Sequence, residues 1–207
     1  MVAEMDGRSD AIGRRSRLYP VATGKRVSPQ PRDLLWFSKL AEHGPLPSSF
    51  LLRYAEDTHQ SEKRARERLT DLFNEADTHH GGPYLCRPPQ QFRTLDSRYN
   101  QLVYDLTPAS EQALIVSGSA MSPAPRSTGP WLHRFMVACI TASIEIATKS
   151  RVDLRYIPQS EILARAQADL RYMTRIFSPA TGESIEKELL PDAIFGLEPR
   201  TDIIQRC

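Results

Sequence analysis

Apolar residues recur along the first part of the chain at helical spacing, then at the shorter period of strands. In "PRDLLWFSKLAEHGP", Leu34, Leu35, Phe37, Leu40 and Ala41 predict a helix that stops at Gly44-Pro45. "LPSSFLLRYAED" opens on a Pro-Ser start signal and carries Phe50, Leu51, Leu52 and Tyr54, a short second helix. In "THQSEKRARERLTDLF", Ser61 is placed to cap a third helix, with Ala65, Leu69, Leu72, Phe73 and Ala76 marking one face. After "ADTHHGGP" the period changes. "YLCR" predicts a short strand, "PPQQFRTLDSRYN" a polar hairpin tip, and "QLVYDLT" a second strand. "PASEQALIV" restarts a helix with Pro108 in its first turn.

Residues 117–130, "SGSAMSPAPRSTGP", are small residues and prolines that neither continue a helix nor build a core, so they read as a linker. Beyond them, "WLHRFMVACITASIEIATKS" predicts one long helix with Leu132, Phe135, Met136, Cys139, Ile140, Ser143, Ile144 and Ala147 on one face. "RVDLRYIPQSEILARAQADLRYM" predicts a strand and then a helix from about Ser160. "ELLPDAIFGLEP" predicts a short buried strand approached by Pro-Asp. No repeat is visible. Three helices followed by a two-stranded hairpin is the order of a winged helix-turn-helix. The expected class is therefore α+β: a disordered basic arm (1–30), a winged helix-turn-helix (31–116), a linker (117–130) and a small α/β domain with one long helix (131–207).

Composition adds little by its total and more by its distribution. The 207 residues carry a net charge of +2 and are 40% hydrophobic and 25% charged, ordinary for a globular protein. No run approaches the roughly 18 apolar residues of a membrane span. The N-terminus lacks the apolar stretch of a secretory signal. Cys86, Cys139 and Cys207 are scattered and odd in number, which argues against a disulfide framework and for a reducing cytoplasm. Residues 1–32, however, hold Arg8, Arg14, Arg15, Arg17, Lys25, Arg26 and Arg32 against Glu4, Asp6 and Asp10, a net of +4. Such an arm reads either as a solubility feature or as a DNA contact.

The third helix carries the sharpest candidate chemistry. Its apolar stripe leaves Gln60, Lys63, Arg64 and Glu67 outward, with Arg66 and Arg68 on the flanks. Gln60, Lys63 and Arg64 lie where a recognition helix meets base edges. Lys and Arg donate to guanine O6/N7, Gln pairs with adenine, and Glu67 accepts from cytosine N4. Arg66 and Arg68 are placed for phosphates, and Thr58, Ser61 and the helix N-terminus are placed to receive one. Arg93 and Arg98 at the hairpin tip are placed for a phosphate or the minor groove. The competing reading is a solvated helix laced by Glu62–Arg66 and Lys63–Glu67 pairs. Trp36, Phe37, Tyr54 and Phe73 read as core, as does Cys139.

"LVYDLTPASEQAL" resembles the wing-strand-to-helix passage of many bacterial winged-helix proteins, with Ser110 where that pattern usually has Gly. Taken in order, the winged helix, the linker, the long helix containing "LHRF" and "LLPDAIFGLE" together resemble the replication-relaxation family of bacterial mobile elements. That resemblance implies a second domain similar to restriction-endonuclease-like nucleases, in which the Asp of Pro-Asp binds Mg²⁺ with a second acid in a Glu-x-Lys motif. Asp192 in "PDAIF" matches the first position. Glu198 comes too soon for the second, and no Glu-x-Lys follows. One carboxylate cannot hold and use Mg²⁺ in that way, so no catalytic residue, metal or cofactor is expected. His43, His59, His79, His80 and His133 lack ligand spacing with any cysteine.

The leading expectation is a cytoplasmic, sequence-specific double-stranded DNA-binding protein. It would regulate transcription or replication of a plasmid, phage or other mobile element, as a homodimer, with no membrane contact. A metal-dependent nuclease using Asp192 and a winged-helix protein-interaction adaptor remain the alternatives.

Overall fold

In the computed structural model, which describes residues 17–77, 82–92, 101–118, 130–166, 172–189 and 191–200, the first apolar stripe forms α1 (Pro31–His43). Pro31 sits in the first turn, where its missing N–H is no loss. Asp33 accepts from the Gln30 N–H at 2.7 Å. Trp36, Phe37, Leu40 and Ala41 face inward. The helix ends at Gly44, whose φ of 102° suits a residue without Cβ. There follow β1 (Leu46–Pro47), α2 (Ser48–Tyr54) and α3 (Glu62–Asn74), the last capped by Ser61 Oγ, which accepts from the Arg64 N–H. β2 (Leu85–Cys86), β3 (Val103–Leu106) and α4 (Pro108–Val116) complete the sequence-predicted order.

β3 lies at the centre of an antiparallel sheet ordered β1-β3-β2, with Leu46 opposite Tyr104 and Leu85 opposite Leu106. β1 adds a third strand to the expected hairpin. At two residues it is too short to show a period of its own. Trp36, Tyr54, Tyr84 and Phe37 are the largest fully buried side chains, each worth about 2–3 kcal/mol in transfer from water. The Trp36 indole donates to the Leu51 carbonyl at 2.7 Å, fixing α1 against α2. Ser110 explains its own departure from the usual glycine. Fully buried, its Oγ accepts from the Thr107 N–H at 3.0 Å and starts α4.

Two expectations are corrected here. The arm was expected to be disordered through residue 30, yet residues 17–30 follow a defined path beside α3. Val27 is buried in the core. The Val21 N–H donates to Asn74 Oδ1 at 3.1 Å, the Thr23 N–H to Glu75 Oε1 at 2.8 Å, and the Ser28 hydroxyl to Asp77 Oδ2 at 3.1 Å. Residues 1–16 lie outside the described residues. The second correction concerns the domain boundary. The chain divides into Met1–Ile146 and Ala147–Cys207, inside the long helix α5 (Trp131–Lys149) rather than at 117–130. The reason lies in α5's inward face. Ala138, Thr141 and Ala142 are buried, while Leu132, Met136 and Ile140 of the expected face are more than half exposed and Cys139 is only half-buried. Small residues let α5 approach α1 closely, so the Ala138 Cβ lies 3.7 Å from where a Cβ on Gly44 would stand.

In the second unit, β4 (Leu154–Ile157) pairs antiparallel with β7 (Gly196–Pro199), and α6 (Gln159–Ala166) follows β4. Arg155 on β4 donates to Glu198 on β7 at 2.8 Å and to both Glu161 oxygens on α6, at 2.9 and 3.0 Å. β7 was expected to be buried; it alternates half-buried and exposed, and among the described residues it pairs on one edge only. β5 (Tyr172–Phe177) and β6 (Ser184–Leu189) form a hairpin that hydropathy did not mark, turned through Gly182 at φ 70°. Together the described residues form a mixed α+β protein with six α-helices and small sheets, and none of those helices is long and apolar enough to cross a membrane.

Candidate nucleic-acid interface

α3 is amphipathic by necessity. Ala65, Leu69, Leu72 and Phe73 are buried, and the 3.6-residue period then turns Lys63, Arg64, Glu67 and Arg66 to solvent, where all four are exposed. Gln60 and Ser61, just before the helix, are also exposed. The structure thus brings Gln60, Lys63, Arg64 and Glu67 onto one ridge. Thr58 lies in the preceding turn, its hydroxyl donating to the Ala55 carbonyl at 3.1 Å. Arg93 and Arg98 lie outside the described residues.

Of the expected intrahelical pairs, Glu62–Arg66 forms, at 2.6 Å. Glu67 instead lies 3.9 Å from Arg64, both well exposed. Exposed pairs of this kind contribute about 0.3–0.5 kcal/mol, so the guanidiniums are readily transferred to another anion.

Arg68 was expected to face a phosphate and does not. Its Nη2 lies 2.6 Å from Asp33 Oδ2 and its Nε 3.1 Å from Oδ1, and Nη2 also donates to the Ser28 carbonyl at 2.8 Å. Asp33 is wholly buried, and the Arg68 side chain is 14% exposed. A buried carboxylate needs its cation, so Arg68 belongs to the scaffold. Arg87 behaves likewise. It packs 3.7 Å from the Phe73 ring centroid and donates to the Tyr104 hydroxyl at 2.9 Å and the Arg17 carbonyl at 2.7 Å.

Two concavities flank the α3 ridge. On the Arg66 side, one of ≈ 430 Å³ is lined in part by Ser49, Arg53, Glu56 and Arg66. On the Arg64 side, one of ≈ 660 Å³ is lined in part by Lys25, Arg32, His59, Arg64 and Asp71. The His59 ring stacks on Trp36 at 4.8 Å. Burial, with help from the Arg32 charge, holds its pKa below the ordinary imidazole value.

A second polar cluster was missed by the sequence reading because its members are a hundred residues apart. Glu145 on α5 accepts from the Tyr54 hydroxyl at 2.7 Å, lies 2.8 Å from His43 Nε2, and contacts the Lys39 ammonium. A carboxylate can only accept, so Nε2 carries the proton of that bond. His43 Nδ1 meets the Thr141 hydroxyl at 2.9 Å. Glu42, His43 and Glu145 are close enough to share a metal ion, but the Lys39 ammonium already sits against both carboxylates. Through the Lys39 ammonium, the Tyr54 hydroxyl and His43, the Glu145 carboxylate ties α5 to α1 and α2 as a clamp.

Asp192, the other sequence candidate, is exposed in the bend before β7, and Glu198 is held by Arg155. Comparison with family models, curated proteins and solved structures gives no match.

Proposed function

We propose that this chain is a winged helix-turn-helix protein that binds double-stranded DNA, with α3 entering the major groove. Within that class, we infer a regulator of transcription or replication on a plasmid, phage or other mobile element, acting in the cytoplasm as a homodimer. The mobile-element setting rests on the replication-relaxation resemblance alone. The observation that carries the DNA reading is the α3 ridge. Lys63, Arg64 and Glu67 stand outward on a helix whose opposite face is locked into the core, with Gln60 exposed just before its start, beside a three-stranded antiparallel sheet. These are donors and acceptors suited to base edges, on a helix of major-groove diameter.

The test is a mobility-shift comparison, at physiological salt, of the native protein with Lys63→Ala/Arg64→Ala against genomic fragments and random-sequence duplexes. Each lost base contact costs about 1–3 kcal/mol, so the double variant is expected to lose at least about tenfold in affinity together with its preference among fragments. Both side chains are exposed, so the melting temperature should hold. Equal binding by the two proteins would remove α3 as the reading element.

A further inference from the structure

We propose that the concavity formed by Lys25, Arg32 and Arg64 seats a DNA backbone strand, making the segment before α1 a second DNA-contacting element. The inference rests on the DNA reading of α3 and extends it to residues outside that helix.

A helix about as wide as the major groove leaves phosphates passing on both of its sides. The Arg66 side offers Arg53 and Arg66, each paired with an exposed acid: Arg53 with Glu56 at 2.7 Å and Arg66 with Glu62 at 2.6 Å. On the other side, α3 alone offers little. Arg68 is consumed by buried Asp33, which leaves Arg64, at 3.9 Å from Glu67. The deficit is made up from outside α3. Residues 17–30 lie beside the helix, bringing Lys25 against Asp71, and Arg32 in the first turn of α1 lines the same concavity. Arg32 is exposed and makes no ion pair among the described residues. Lys25 is more than half exposed, so its pair with Asp71 is a weak competitor for a phosphate.

The anchoring of this segment shows why its cations are held in place. Val27 is buried, and Thr23 and Ser28 are hydrogen-bonded to Glu75 and Asp77 just beyond α3. The backbone that carries Lys25 is therefore fixed before any partner arrives, and less entropy is lost on binding than with a free basic tail. Phosphate contacts carry no sequence information, so Lys25 and Arg32 set affinity and register while the α3 ridge sets preference.

The experiment is a salt titration of binding by the full chain to a random-sequence duplex, for the native protein, Lys25→Ala, Arg32→Ala and Arg32→Lys. The slope of log affinity against log salt is expected to become shallower by about 0.9 for each alanine substitution. Arg32→Lys should restore most of the native slope, and addition of duplex should shift the His59 ring resonances. Native affinity and slope in both alanine variants, with binding still weakened by Lys63→Ala/Arg64→Ala, would overturn the proposal and leave the α3 reading standing. No binding by the native protein would remove both.

Discussion

Replacing Asp33 by alanine is expected to lower the unfolding free energy by about 3–5 kcal/mol, the usual range when one partner of a buried ion pair is removed. Asp33 is fully buried and has two roles. Its carboxylate accepts from the Gln30 N–H and so closes the first turn of α1, and it receives the Arg68 guanidinium through both oxygens. Alanine strands the guanidinium beside the core and leaves an orphan amide at the start of α1. The expected fall in melting temperature is about 10 °C. Asp33→Ala combined with Arg68→Met should be less damaging than the sum of the single changes, because no charge then remains unpartnered. Urea unfolding of the three variants gives the coupling directly. If Asp33→Ala unfolds within about 0.5 kcal/mol of the native protein, the pair is not a clamp, and Arg68 returns as a candidate phosphate ligand.

Glu145 carries the second large effect, and here the signature is in pH. Burial alone would push its carboxyl up, but the hydrogen bond to His43, the Lys39 ammonium and the Tyr54 hydroxyl together bring it down to about 2. Because the folded carboxyl ionises below its ordinary 4.5, its contribution is fully present above pH 4.5 and is lost as pH falls towards 2. Glu42 beside it has the opposite sign. Burial raises its carboxyl against the pull of Lys39, so its contribution is present below 4.5 and is lost as pH rises through the raised value. Stability should therefore rise slightly on mild acidification, then fall below pH 4.5. Glu145→Gln is expected to cost about 3 kcal/mol at neutral pH and to flatten the acid limb. Urea midpoints collected from pH 7 to pH 2 for both proteins supply the comparison. Coincident profiles would mean that the Glu145 carboxylate contributes no net stability.

Much of the first unit was legible because local signals agreed there. Pro31, Ser61 and Pro108 mark helix starts, and the stripes of α1 and α3 each have one apolar face. The α5 face was misread because its apolar residues run around much of the helix. What decided the inward side was not hydropathy but the room for close approach and the reach of Glu145 to Lys39, His43 and Tyr54. Long-range pairs such as Asp33–Arg68 leave no trace in sequence spacing, so Arg68 looked like any other cation on a basic helix. The β5–β6 hairpin was missed because Tyr172–Phe177 does not alternate cleanly between apolar and polar residues. On the candidate interface, the sequence pointed to the α3 ridge and to the basic arm as a whole; that Lys25 and Arg32 stand beside α3 depends on the path of residues 17–30.

The placement of Glu145, Ala138 and Ala142 within the first unit has a consequence for split-protein complementation. α5 is held to α1 and α2 by the Glu145 hydrogen bonds and by the burial of Ala138 and Ala142. Co-expressed halves covering 1–118 and 130–207 should therefore reconstitute a complex that survives affinity capture through a tag on either half. Introducing Glu145→Ala in the second half should release its companion into the wash.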